Sequence, residues 1–204
     1  MLNEPRIYLA SRSPRRRELL TQIGVRFDLM LFRTPPRADA ETDETPLPGE
    51  DPLAYAKRVA SAKAAYGAKL IATRKLPSRP ILAADTTLDV DGEIVGKPLD
   101  TDDAAAILQR LSGRTHRVIT AIALAVSDEI ECVANVSDVK FRQLDGEEIR
   151  RYATSHEPLD KAGAYGIQGR AAMFVEEIRG SHSGIVGLPL CETTLLLRKF
   201  GYPV

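Results

Sequence analysis

Residues 9–20 read Leu-Ala-Ser-Arg-Ser-Pro-Arg-Arg-Arg-Glu-Leu-Leu and gather hydroxyls (Ser11, Ser13), a proline and several arginines in one short stretch. An apolar run, Ile7 to Ala10, precedes them, and an amphipathic run, Arg16 to Ile23, follows. The pattern predicts a strand, a tight turn and a helix start, with Pro14 at the first helical position and Ser13 as its cap. Free backbone N–H groups, hydroxyls and guanidinium forks that converge on a helix N-terminus suit a phosphate or another polyanion. A capped helix with solvated arginines is the alternative from these residues alone.

Asp85 is the second candidate. It follows the apolar run Ile81-Leu-Ala-Ala84 and precedes Thr86 and Thr87. A carboxylate at the end of a buried strand is costly unless it is paired, holds a metal or does chemistry. Asp85 is therefore read as a metal ligand or general base, against a plain turn cap. Next, Asp91-Gly92 signals a hairpin turn. Gly96-Lys97 resembles the end of a phosphate-binding P-loop, but only three residues separate Gly92 from Gly96, and Pro98 replaces the required Ser or Thr. Lys97 is left as a point charge for phosphate, with no Walker cradle.

Asp160-Lys-Ala-Gly-Ala-Tyr-Gly-Ile-Gln168-Gly169 places three glycines, an acid, a lysine, a tyrosine and a glutamine within ten residues. Small residues let a backbone approach a ligand closely, and Gln168 offers one donor and one acceptor to a planar base edge. An ordered loop with turn glycines is the plain alternative. Lys63, within Ala60-Ser-Ala-Lys-Ala64, reads from spacing alone as a snorkelling surface lysine, with phosphate binding the other option. His116 starts a strand and reads as a structural hydrogen-bonding residue. His156 and His182 lie apart from it without metal-ligand spacing.

The elements that must position these residues follow from periodicity. Strands are expected over 6–10, 26–32, 81–90, 117–126, 130–141 and 173–178, and helices over 15–23, 52–72, 102–111, 146–155 and 189–200. Strands alternate with helices at first, and an adjacent strand pair follows, so a mixed α/β sheet is expected. Thr34 to Glu50, rich in proline and acid, reads as a long surface loop of the kind that is functional or disordered. A second connector is expected over 74–80.

With 204 residues and 44% hydrophobic composition, one domain, or one domain with a lobe, and a real core are expected. Equal numbers of basic and acidic residues, 28 of each, argue against a general nucleic-acid or membrane-surface binder, but not against a small anion held by local arginines. No apolar run approaches a bilayer span, and arginines interrupt any N-terminal signal segment. Two separated cysteines, Cys132 and Cys191, fit packed thiols and a reducing cytoplasm.

Taken in order, Ala10-Ser-Arg-Ser-Pro-Arg-Arg17, Ala84-Asp-Thr86, Gly96-Lys-Pro98, Ser112-Gly-Arg-Thr-His116, Asp160 to Gly169 and Val186-Gly-Leu-Pro189 resemble the Maf family of nucleoside triphosphate pyrophosphatases over nearly the whole chain. The resemblance implies an α/β fold with a mixed elongated sheet flanked by helices, similar to inosine-triphosphate pyrophosphatases. It implies one domain, 1–204, of two lobes with the site in the cleft, and a homodimer. It implies release of pyrophosphate from a nucleotide with the help of Mg²⁺ or Mn²⁺. By the same resemblance Asp85 matches the catalytic base. Arg15, Thr86 and Gln168 match base-selecting positions, and Ser11, Arg16, Lys63 and Lys97 match positions around the phosphates. Glu44, in the long loop, matches an acid that shares the metal with Asp85. The Tyr-Gly-Ile-Gln-Gly stretch is similar to the branch acting on dTTP and UTP. Gly184 stands where many members have Asn, and Ala60-Ser61 is a variant helix sequence; neither touches the base or the selecting positions. Two rivals remain: a nucleotide-sensing regulator of cell division without turnover, which has no need of Asp85, and a sugar- or phosphate-binding structural protein, against which the six motifs together weigh.

Overall fold

The longest apolar runs of the chain become the centre of its sheet. The computed structural model describes residues 5–32 and 43–204. β3 (Ile81–Val90), β5 (Thr115–Val126) and β6 (Glu129–Phe141) lie side by side and antiparallel. β1 (Ile7–Ala10) runs parallel to both β2 (Phe27–Leu29) and β3. β7 (Val175–Arg179) extends the far side against β6, and β4 (Glu93–Val95) folds back on β3. The described residues thus form a seven-stranded mixed sheet in the order β2-β1-β3-β5-β6-β7, with β4 off that path.

Alternation along the strands assigns the two faces. Ile81, Ala83, Ile119, Ala121 and Ala123 face α2 (Pro52–Thr73), whose Ala56, Ala60 and Ala64 are fully buried against them. Small residues on both sides allow a close approach; at Gly67 a Cβ would lie 2.1 Å from Ile81 Cδ1. The opposite face splits into two apolar clusters. One joins Leu82, Ala84, Ile122 and Leu124 to α1 (Pro14–Gln22) and α6 (Leu190–Lys199). The other joins Leu88, Val118 and Val139 to α3 (Thr101–Leu111) and α4 (Gly146–Ala153). Phe141, Tyr165, Phe174 and Tyr152 stack edge-on within the second cluster, with ring centres 4.8–5.9 Å apart.

Most expected elements form within a residue or two of their predicted ends, and β3 forms over its full predicted span. Ser13 caps α1 by accepting from Arg16 N at 3.5 Å, with Pro14 in the first turn. The strand expected over 26–32 is shorter, Phe27–Leu29. The strand expected from Met173 begins only at Val175, because Arg170–Phe174 turns as a 3-10 helix that buries Phe174. α5 (His182–Val186) and β4 were not expected as elements. Most of the Thr34–Glu50 loop expectation lies outside the described residues; 43–50 lies within them.

Candidate active site

The site begins as a gap in the sheet. β1 stops at Ala10, opposite Ala83, and β4 pairs with β3 only from Leu88 onward. Residues 84–87 of β3 therefore have no strand along that edge among the described residues. Asp85 and Thr86 occupy the middle of this opening, and the Ser11–Arg16 turn leaves β1 into it. Carboxyl ends of parallel strands, where a sheet changes direction, are a recurrent place for ligands. A cavity of about 790 Å³ fills the opening. All nine expected site residues line it: Ser11, Arg15, Arg16, Glu44, Lys63, Asp85, Thr86, Lys97 and Gln168.

Asp85 and Thr86 point to opposite faces of β3, so each meets a different layer. On the α2 side, the Lys63 ammonium lies 2.8 Å from Asp85 Oδ1 and 2.9 Å from a Glu44 carboxylate oxygen. Lys63 and Asp85 are nearly buried, with side chains 13% and 9% exposed. The snorkelling reading of Lys63 is thereby overturned: the small alanines around it let the helix sit close, and its ammonium turns inward. Glu44 is delivered by α2 as well. The Tyr55 hydroxyl donates to the Glu44 carbonyl at 2.9 Å, Arg58 donates to the Thr45 carbonyl at 3.1 Å, and Arg58 grips Glu50 with two nitrogens at 2.6 and 2.7 Å. Burial, reinforced by the charges of Asp85 and Glu44, pushes the Tyr55 hydroxyl up to about 12, so it stays a donor.

On the other face a relay of donors fixes Arg16. Its Nε donates to the Gly187 carbonyl at 2.8 Å, and its terminal nitrogens donate to Ser11 Oγ at 3.4 Å and Thr86 Oγ1 at 3.2 Å. Thr86 and Thr120 hydroxyls are 2.9 Å apart, and Thr120 donates to the Gly184 carbonyl at 2.7 Å. One consistent direction of donation, Arg16 to Thr86 to Thr120 to Gly184, satisfies each hydroxyl. Desolvation draws the Arg16 guanidinium below its ordinary value, and Asp85 opposes that shift. Gly184 belongs to this arrangement: a Cβ there would lie 2.7 Å from Asn135 Oδ1.

The rim carries the remaining residues. Arg15 lies 3.7 Å from Asp160 across the opening. Lys97 and Gln168 are exposed and line the cavity. Six cationic side chains line the cavity (Arg12, Arg15, Arg16, Lys63, Lys97, Lys161) against three carboxylates (Glu44, Asp85, Asp160). That excess suits a polyanion. His116 takes no part: it is buried, its Nε2 lies 2.8 Å from the Tyr165 hydroxyl, and burial lowers it to about 4. Sequence reading missed Tyr55, Arg58, Thr120 and the Gly187 carbonyl, all of which act by holding other site residues.

The donor set bears on a cation. Two carboxylates converge on the Lys63 ammonium, so their oxygens already face one cation-sized place. No group of three or more His, Cys, Asp or Glu side chains is arranged to hold a metal among the described residues. Two carboxylates without a complete cage are the hard oxygen donors that a divalent cation takes.

The chain is similar to the dTTP/UTP pyrophosphatase of Dechloromonas aromatica, 61% identical over 197 residues covering 97% of this chain and 98% of that protein. Proteins with the same name from Aromatoleum aromaticum (58% identical, 98% of each chain) and Chromobacterium violaceum (50% identical, 98% of this chain and 97% of that one) are also similar. Among solved structures, the Staphylococcus aureus Ham1 protein superposes with a TM-score of 0.51 at 14% identity, covering 96% of this chain and 99% of that one, a likeness of fold alone. The model described as Maf-like protein matches residues 6–200, and the chain therefore belongs to the Maf-like protein family.

Proposed function

We propose that the cleft hydrolyses dTTP and UTP to the nucleoside monophosphate and pyrophosphate. The observation that carries this reading is Asp85, held by Lys63 in the strand-free gap of β3, with the basic turn on one side and Gln168 on the far rim. In this reading the triphosphate lies along the Ser11–Arg16 turn, and Arg16, Lys63 and Lys97 neutralise its charge. A water oxygen attacks the α-phosphorus, the bond from that phosphorus to the bridging oxygen breaks, and pyrophosphate leaves. Asp85 Oδ1 is taken by Lys63, while Oδ2 has no partner among the described residues and accepts the proton of the attacking water. Glu44 and Asp85 are the residues that would hold Mg²⁺ or Mn²⁺, and Asp85 Oδ2 would then serve either the ion or the proton, not both at once. Such an ion polarises phosphoryl oxygens and lowers the pKa of bound water. Phosphoryl transfer needs mainly positioning and charge stabilisation, and a site of arginines, lysines and carboxylates supplies both.

Base selection falls to Gln168 with Arg15 and Thr86. The Gln168 amide pairs its donor and acceptor with the O4 and N3–H edge of uracil or thymine. The split of one sheet face into two apolar clusters supports one domain, 1–204, with two lobes around the cleft. No described helix is long and apolar enough to cross a membrane. Cys132 is half-buried and Cys191 exposed, so the expectation of packed thiols fails at Cys191; both thiols are free, which accords with a cytoplasmic protein, as the family likeness does with a homodimer.

The direct test is pyrophosphate release from a panel of nucleoside triphosphates with Mg²⁺ or Mn²⁺, with EDTA as control. Release from dTTP and UTP is expected, and both EDTA and Asp85→Asn should stop it. Nucleotide binding should survive Asp85→Asn, because that change removes a negative charge beside the phosphates. Release from purine nucleotides alone would keep the reaction and sink the base assignment. No release from any nucleotide would return the sensor reading.

A further inference from the structure

Gln168 makes no protein hydrogen bond through its amide among the described residues, so its place depends on its backbone. Gly166 to Gly169 form a turn, closed by the Gly169 N–H donating to the Gly166 carbonyl at 2.9 Å, with Gln168 in the turn. Both ends of that turn lead to one carboxylate. The Arg170 N–H donates to Glu157 Oε1 and Oε2 at 3.2 and 3.3 Å. At the other end the Gly166 N–H donates to the Tyr152 hydroxyl at 3.3 Å, and that hydroxyl donates to Glu157 Oε1 at 3.0 Å. Burial pushes the Tyr152 hydroxyl above its ordinary value, so it remains a donor.

The fit is tight. A Cβ at Gly169 would lie 2.0 Å from Glu157 Oε1, and one at Gly166 would lie 2.7 Å from Lys161 Cε. The Lys161 ammonium in turn donates to the Glu157 carbonyl at 2.6 Å and bonds Asp160. Tyr152 is 1% exposed, with its ring 5.1 Å from Phe174. The acid is therefore mounted on the aromatic core, which fixes where the turn can sit.

We propose that Glu157 is a specificity-positioning residue. With the Tyr152 hydroxyl, it sets the Gly166–Gly169 turn so that Gln168 stands at a fixed distance from Asp85 and Lys63. The inference rests on the pyrimidine-nucleotide reading of the cleft. It separates two properties that a general loss of structure would move together. Phosphate chemistry resides on β3, α2, Lys97 and the basic turn, whereas Gln168, alone of the three base-selecting residues, stands on the turn that Glu157 brackets.

The test uses the full chain carrying Tyr152→Phe, Glu157→Gln or Glu157→Ala. kcat and KM are measured for UTP, dTTP, GTP and ITP, with inhibition by inorganic pyrophosphate as the phosphate-side readout. The ratio of kcat/KM for UTP over GTP is expected to fall about tenfold in Glu157→Ala. It should fall less in Glu157→Gln, which keeps one acceptor oxygen. The fall should come through the pyrimidine KM, with pyrophosphate inhibition unchanged. Tyr152→Phe keeps the ring packed and tests the hydroxyl alone, so the idea stands or falls even where Glu157→Ala does not fold. An equal loss for every base, or an unchanged ratio in all soluble variants, overturns the inference. A selective parent with equally selective variants overturns this inference alone. An unselective parent overturns the base reading and this inference together.

Discussion

Lys63 carries the tightest electrostatic arrangement in the cleft, because one nearly buried ammonium serves two carboxylates at 2.8 and 2.9 Å. Removing a partner from a poorly solvated ion pair leaves the other charge uncompensated, which costs more than the pair contributes when intact. Lys63→Met strands Asp85 and Glu44 together and removes a positive charge from the phosphate path. It is expected to lower kcat/KM about 100-fold, roughly 3 kcal/mol, in initial-rate measurements. An unchanged kcat/KM would show that this ammonium matters only to folding. Asp85 and the basic turn were legible in the sequence because charged residues stood beside apolar runs. Lys63 misled, since a helix lysine among alanines looks the same whether it faces solvent or a sheet. Thr120 and Tyr55 left no trace, because a threonine on a strand and a tyrosine on a helix are ordinary until the fold supplies Gly184 and Glu44 as partners.

The β3–β4 hairpin and the 160–169 segment meet at Gly163, and this crossing positions both Lys97 and Gln168. Gly163 has φ of 71°, and its N–H donates to the Gly96 carbonyl at 2.8 Å, one residue before Lys97. A Cβ there would lie 2.1 Å from Leu88 Cδ2 and 3.0 Å from Cγ, and Leu88 is itself buried. Gly163→Ala thus adds backbone strain to overpacking, and a loss of about 2–4 kcal/mol is expected in urea unfolding. Gly24→Ala, also at positive φ but with nothing within 4 Å, should cost clearly less. An equal cost at the two sites would remove packing from the explanation. Element length decided what could be read beforehand. β3 is a ten-residue run bounded by Pro80 and Asp91-Gly92, and its ends were plain. β4 has three residues and α5 five, too short for a period to emerge. The hairpin turn was nevertheless marked, since Asp91 and Gly92 both take positive φ, as a type I′ turn requires.

Across the whole molecule, the response to acid should report the cluster beneath the base-selecting rim. His116 is 3% exposed, its Nε2 meets the Tyr165 hydroxyl, and its Nδ1 has no hydrogen-bond partner among the described residues. Burial, with no counter-charge against it, lowers His116 from 6.5 to about 4. The unfolded chain therefore binds this proton near pH 6.5, and the folded chain only near 4. Where the unfolded state binds more protons, stability falls as pH falls. The full stability is present above about 6.5 and is lost progressively down to about 4, by about 3 kcal/mol in total. Carboxylates held low by arginines act in a lower window. Glu50, drawn from 4.5 to about 2 by its hydrogen bonds from Arg58, costs stability only below about 4.5. The two windows are separable by urea unfolding at successive pH values. The parent protein should weaken between pH 6.5 and 4.5. His116→Gln, which keeps a polar partner for Tyr165 but cannot titrate, should stay level there and weaken only below that range. Parallel curves for the two proteins would mean that the proton enters elsewhere. A flat variant curve would place the acid sensitivity in the aromatic cluster that also carries Tyr165, the residue immediately before the Gly166–Gly169 turn.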